Sequence, residues 1–159
     1  MALRLSTGLR NTLLSGTAGL AQVFGTGIID IWTGTPPANA DAAETGTKLV
    51  RISVSSFASC GSGGTGGGTA GSGGLLWGTA ANGSLPKSAD TWSGEGIANG
   101  ESGWWRLHGY NILHGTSSTS PRIDGVCGVS GADLNMSDLT VASAATITID
   151  SFSITIPAM

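Results

Sequence analysis

Charge is what this chain has least of. It carries 7 Lys and Arg and 10 Asp and Glu in 159 residues, 11% charged, against about 25% for an ordinary soluble domain. The basic residues Arg4, Arg10, Lys48, Arg51, Lys87, Arg106 and Arg122 are scattered, and the net charge is −3. A protein that grips a polyanion needs a concentrated cationic face, so a nucleic-acid partner is not expected. No run approaches the ~18 consecutive apolar residues of a membrane helix, and no membrane partner is expected. Two cysteines, Cys60 and Cys127, are too few for a disulfide scaffold. Arg10 and Asn11 interrupt what would be the apolar region of a secretion leader. Synthesis in a host cytoplasm is therefore expected, with both thiols free.

Low charge without a membrane segment has two readings. Neighbouring molecules cover much of the surface, or the surface is built from Ser, Thr and Gly and stays soluble without charge. Both apply to this composition. A length of 159 residues suits one domain with a proper core.

The clearest pattern is Ala145–Ile156, Ala-Thr-Ile-Thr-Ile-Asp-Ser-Phe-Ser-Ile-Thr-Ile. Ile147 and Ile149 alternate with Thr146 and Thr148, and Phe152, Ile154 and Ile156 continue in the opposite phase. Period-two alternation of β-branched and aromatic residues predicts a strand. The slip at Asp150-Ser151 would turn the apolar set to the wrong face. It predicts a β-bulge there, or a strand that bends and changes sheets.

Upstream, Ser6-Thr7 offers a helix N-cap. Leu9 and Leu13 share one helix face, and Gly16 stands as the stop. Leu20, Val23 and Phe24 repeat helical spacing until Gly25 and Gly27. Strands are predicted over 27–33, 47–55, 75–77, 103–110, 122–129, 132–135 and 139–141. The stretches 34–46 and 82–100 read as turn-rich connections, and Asn82-Gly-Ser84 and Asn135-Met-Ser137 as turns. Glycine makes up 27 residues, far above the usual ~7%. Many of them fall in the tract 60–74. The expected fold is all-β, a β-sandwich or jelly roll with a short helical N-terminal segment. Residues 1–26 are expected as an arm or short helix serving attachment more than the core, with Met1–Leu5 a short arm or an edge strand. Residues 27–159 form the sandwich, with a Gly-rich loop at 60–74.

Gly61-Ser-Gly63-Gly-Thr-Gly66 matches G-x-G-x-x-G in form only. More glycine follows it, so no helix N-terminus is available to a phosphate, and low complexity explains the match. His108, His114, Asp124 and Cys127 are the candidates for a metal site or for a nucleophile with its base. They lack ligand spacing and nucleophile signatures, so they read as polar strand-edge residues and a small buried thiol. No catalytic, metal or cofactor residue is expected. Trp77, Trp92, Trp104 and Trp105, with Tyr110, either line a sugar-binding face or divide between core and subunit interface, where Trp is enriched. Trp104 and Trp105 are adjacent and must face opposite sides of a strand. The expected interface residues are Trp104, Trp105, Trp92, Gly66 and Gly67.

Three segments carry a resemblance to a family. They are Leu5-Ser-Thr-Gly-Leu-Arg-Asn-Thr-Leu-Leu14, Gly27-Ile-Ile-Asp-Ile-Trp-Thr-Gly-Thr-Pro-Pro-Ala-Asn-Ala-Asp-Ala-Ala43 and Gly131-Ala-Asp-Leu-Asn-Met-Ser137, the last followed by the terminal strand. With them the chain resembles small virion structural proteins of tailed bacteriophages. The resemblance implies a non-enzymatic protein of the particle, foremost a capsid decoration or cement protein. Tail or neck component, or receptor- or glycan-binding module, are the alternatives. It implies partners in further copies of the chain and in other virion proteins such as the major capsid protein.

Overall fold

The computed structural model describes residues 3–54, 73–109 and 112–156. Their elements are β1 (Arg4–Leu5), α1 (Thr7–Leu14), α2 (Leu20–Val23), β2 (Ile28–Thr33), β3 (Lys48–Val54), β4 (Ser84–Pro86), β5 (Trp92–Glu95), β6 (Gly100–His108), β7 (Arg122–Gly128), β8 (Leu134–Asn135), β9 (Thr140–Val141), β10 (Thr146–Ile149) and β11 (Ser153–Thr155). The larger sheet runs β1-β7-β6-β2-β3-β5-β10, antiparallel at every step. β8 joins β7 in parallel, and β9 pairs with the start of β6. A second sheet pairs β11 with β4. The fold is all-β and sandwich-like, as expected.

Alternation along the central strands sends one set of side chains inward. Register then stacks them in rows. Ile52, Ile29, Leu107 and Ile123 form one row, and Val50, Ile31 and Trp105 lead to Gly125 in the next. All of these apolar side chains are fully buried in one cluster. Burying each Ile, Leu or Val stabilises the fold by about 1.5–3 kcal/mol. The second row ends in glycine for a steric reason: a Cβ at Gly125 would collide with the Trp105 indole.

The terminal pattern resolves as a change of sheet. Ile149 is buried in β10 beside β5, and Ile154 is buried in β11 beside β4. Between them Phe152 turns into the core. Its ring lies 5.1 Å from Trp105, edge to face, and 6.0 Å from both Trp77 and Trp92. Ile156 departs from the expected alternation and is exposed.

Asn82 and Gly83 form the expected turn, with positive φ and reciprocal bonds between Ala81 and Ser84. Asn135 is instead the last residue of β8. The stretch 82–100 contains two strands that its turn residues conceal. In β5 the Ser93-Gly94 pair lacks strand propensity, yet Gly94 lets the Arg51 carbonyl approach more closely than a Cβ would allow. Leu75–Trp77 makes isolated bridges to Gly27 and Lys87 instead of a strand. The glycine tract lies largely outside the described residues.

The N-terminal segment is a correction to the expected arm. Leu9 and Phe24 are fully buried in the main cluster, and β1 extends the sheet beside β7. A small residue at Gly8 brings α1 against the Thr119 carbonyl, which a Cβ would strike. Ser6 anchors the arrangement. Its Oγ accepts from the Leu9 and Arg122 amides at 3.2 and 2.9 Å and donates to the Ser120 carbonyl at 2.8 Å. The N-cap thus also ties α1 to β7. Replacing it leaves two amides and a carbonyl without that partner in a site of zero exposure. Ser6→Ala is therefore expected to cost about 2–3 kcal/mol by urea denaturation. A loss within ~0.5 kcal/mol, typical of a surface change, would show that the segment is not built in.

Candidate functional site

The face opposite the core is polar yet enclosed. Trp104, Arg106 and His108 project there from β6, as alternation with Trp105 and Leu107 requires. Register sets three rows across it: Lys48, Trp32 and Trp104; Arg51, Asp30, Arg106 and Asp124; then Ile28, His108 and Arg122. The middle row alternates in sign across β3, β2, β6 and β7. Residues 34–46 and 112–121 close over it, joined by the Ser117 amide on the Asp41 carbonyl at 2.8 Å. Asp41 also accepts from the Thr7 amide and hydroxyl, at 2.8 and 2.6 Å, which fixes this cover to α1.

Two guanidinium forks hold the middle row. Arg51 Nε and Nη2 donate to the Asp30 carboxylate at 2.8 and 2.9 Å. Arg106 Nε and Nη2 donate to Asp124 at 2.7 and 2.8 Å. Arg106 Nη1 reaches the Ala42 carbonyl and Glu44 Oε1, both at 3.0 Å. Asp30, Arg106 and Asp124 have zero exposure. Bidentate, charge-assisted bonds of this kind are the strong ones. Their loss is costly because a buried charge would stand alone: removing one partner typically costs 3–5 kcal/mol.

Glu44 is the hinge of the cover. Its Oε2 accepts from the Gly115 amide at 2.8 Å, and its Oε1 lies 3.4 Å from His114 Nδ1. Burial alone would raise its carboxyl. The bonds from His114 and the Gly115 amide, with the Arg106 charge, outweigh this and hold it well below the carboxylate range. Asp30 is likewise held low, the Arg51 fork overcoming burial. Arg122 Nη1 and Nη2 secure the same loop through the Gly115 and Leu113 carbonyls at 2.8 and 2.7 Å.

Inside this frame stand two histidines. Their rings are 5.3 Å apart. His108 Nε2 is 3.7 Å from Asp30 Oδ2, too long for a hydrogen bond, and has no partner. His114 Nε2 is 3.8 Å from the same oxygen and 3.1 Å from Arg51 Nη2. Burial, helped by the charge of Arg106, pushes His108 down to about 3, so it is neutral at ordinary pH.

Of the residues weighed together from sequence, the fold unites His108 and His114 and adds Asp30. Asp124 belongs to Arg106. Cys127 is a separate free thiol, pushed up to about 12 by burial and then by Asp133; Cys60 lies outside the described residues. The interface residues require correction. Trp92, Trp104 and Trp105 have zero exposure within this one chain, so no neighbour can cover them. Trp104 is off the core, as adjacency demands, but it stacks on Trp32 at 5.9 Å and donates to the Thr45 carbonyl beneath the cover. Gly66 and Gly67 lie outside the described residues. Asp30, Glu44 and Arg51 were missed. The available signal was a charge set in an apolar strand, Ile-Ile-Asp-Ile-Trp for Asp30.

A second feature is an apolar groove of about 500 Å³. Leu3 and Leu5 line one side, Ser153–Ile156 the other, with Leu13 and Leu20 from the helices. β1 and β11 each stand at the end of a sheet's strand order, so two sheet edges flank it. Comparison with known proteins finds no matching family model, curated protein or solved structure.

Acid should weaken the fold through His108. The unfolded imidazole binds a proton as pH falls through about 6.5, whereas the folded one resists until about 3. Across that window the unfolded state holds more protons, so each unit of descent costs up to about 1.4 kcal/mol. The full contribution is present above about 6.5. Below about pH 4 the depressed Asp30 and Glu44 add their own loss. Urea unfolding is expected to lose ~2 kcal/mol between about pH 7 and 5, and His108→Asn to flatten that interval. Equal stability at both pH values would mean that the folded His108 is protonated.

Proposed function

We propose that this protein is a non-enzymatic structural component of a tailed-bacteriophage particle, acting as a decoration or cement protein on the capsid. The observation that carries the reading is where its charge goes. Asp30, Arg106, Arg122 and Asp124 are buried and Glu44 and Arg51 partly so, all beneath the cover. Only Arg10, Asp90, Glu95, Glu101, Asp138 and Asp150 are exposed. The outside is thus as sparse in charge as the composition, while Leu5, Leu14, Leu76, Ile97, Leu113, Val129 and Ile156 are open to solvent. Interface cores are depleted in charge in this way.

The apolar groove supports the same role. Two sheet edges, with apolar side chains between them, suit an extended segment of another virion protein or of a second copy. Adhesion of this kind needs area and shape rather than reactive groups. The polar centre fits a structural task too, because its carboxylates are committed to guanidiniums under a cover. The glycan-binding alternative is left without an aromatic platform, since no tryptophan is exposed among the described residues.

The test is sedimentation of the purified chain, alone and with shells of the phage that encodes it. Association is expected. Leu5→Asp and Ile156→Asp, which alter exposed positions, should weaken it by more than ~10-fold, the loss of one interface anchor. A monomer that ignores shells, with both variants like wild type, would overturn the reading.

A further inference from the structure

The geometry points to a divalent transition-metal site formed by Asp30, His108 and His114, which would bind a zinc-class ion and tie residues 112–121 to the sheet. The donor atoms of the three residues all lie within 4.8 Å of one another. Asp30 Oδ2 is the common vertex, 3.7 Å from His108 Nε2 and 3.8 Å from His114 Nε2. Ligands around a tetrahedral zinc sit about 3.4 Å apart, given metal–ligand bonds near 2.0–2.1 Å. A small inward movement of His114, which stands on a loop, brings the set to that spacing.

A separate observation points to a ligand. His108 is 1% exposed, and its Nε2 faces Asp30 without a partner. Such an orphan is costly in a protein interior unless something fills its place. A metal ion supplies the missing partner.

The surrounding residues fit this use. Glu44 Oε1 stands behind His114 at Nδ1, 3.4 Å away. A carboxylate on the far nitrogen fixes the tautomer that leaves Nε2 free to coordinate, the usual support of a metal-bound imidazole. Two imidazoles and a carboxylate are borderline donors, suited to Zn²⁺ or Co²⁺ and not to Mg²⁺ or Ca²⁺. Three protein ligands leave the fourth position to water.

Two features limit affinity. Arg51 Nη2 donates to Asp30 Oδ2 at 2.9 Å and lies 3.1 Å from His114 Nε2, so it must give up both contacts to the ion while Nε keeps its bond to Asp30 Oδ1. Arg106 adds positive charge to the same row. The ion therefore acts as a removable staple rather than a condition of folding.

The experiment uses the full chain freed of metal by a chelator. Co²⁺ binding is followed by visible absorption, Zn²⁺ binding by calorimetry, and both by thermal melting. One ion per chain is expected, with a melting temperature raised by Zn²⁺, restored by chelator and unmoved by Mg²⁺. His114→Ala should weaken binding by at least ~10-fold, a loss expected even for outer-shell changes, while Glu101→Gln leaves it unchanged. Circular dichroism of the metal-free variant verifies its fold, and His114→Gln replaces it if the fold is lost. Three results would each overturn the site: no Zn²⁺ or Co²⁺ binding, affinity unaltered by loss of His114, or a thiolate charge-transfer band placing the ion on cysteine.

Discussion

The cross-strand row Arg51–Asp30–Arg106–Asp124 is the interaction on which the rest depends. It is expensive to build, since each of its ions leaves water. What offsets that cost is near-complete satisfaction: two bidentate forks, with Arg106's remaining nitrogen on Ala42 and Glu44. The row also decides register. Sliding β2 against β3 or β6 by one residue would set Asp30 against apolar neighbours and strand a guanidinium. A mixed sheet face of this kind is therefore more selective than an apolar one, which tolerates sliding.

The two faces of the sheet do different jobs. Inside, the rows ending in Ile123 and Gly125 meet Phe152, Trp77 and Trp92 to give a tightly interlocked aromatic centre. Outside, the ionic row gathers two loops that would otherwise have little to hold them. The cover contains Pro36, Pro37 and short polar residues, and its order comes from Asp41, Glu44 and Trp104 Nε1. Drawing so much of the charge inward leaves an exterior of small polar and scattered apolar groups.

Local physics was readable from the chain. The Ser6 cap, the Gly16 stop with its positive φ, and the phase slip at Asp150-Ser151 depend on neighbours a few residues apart. The β5 strand was hidden because Ser93-Gly94 has the composition of a turn; its pairing with β3 and β10 overrides propensity. The ionic row was hidden for another reason. Asp30 finds Arg51 across 21 residues, and Arg106 finds Asp124 across 18. Each charge alone looks like an isolated polar residue in an apolar strand. Trp104 and Trp105 were placed correctly on opposite sides, but the loop that seals the outer one has no periodicity to announce it.

The Ser6 anchor has a consequence for how the chain comes to be folded. Its partner Arg122 lies 116 residues downstream, and β1 pairs with residues 123 and 124. During synthesis at ~5–20 residues per second, the opening segment waits several seconds for that partner. Until then Leu3, Leu5 and Leu9 have no sheet to rest on. Loop closure over so long a span is slow, because the entropy of the intervening chain is lost before the contact forms. β1 and the start of α1 thus gain their place in the sheet only once β7 has been made.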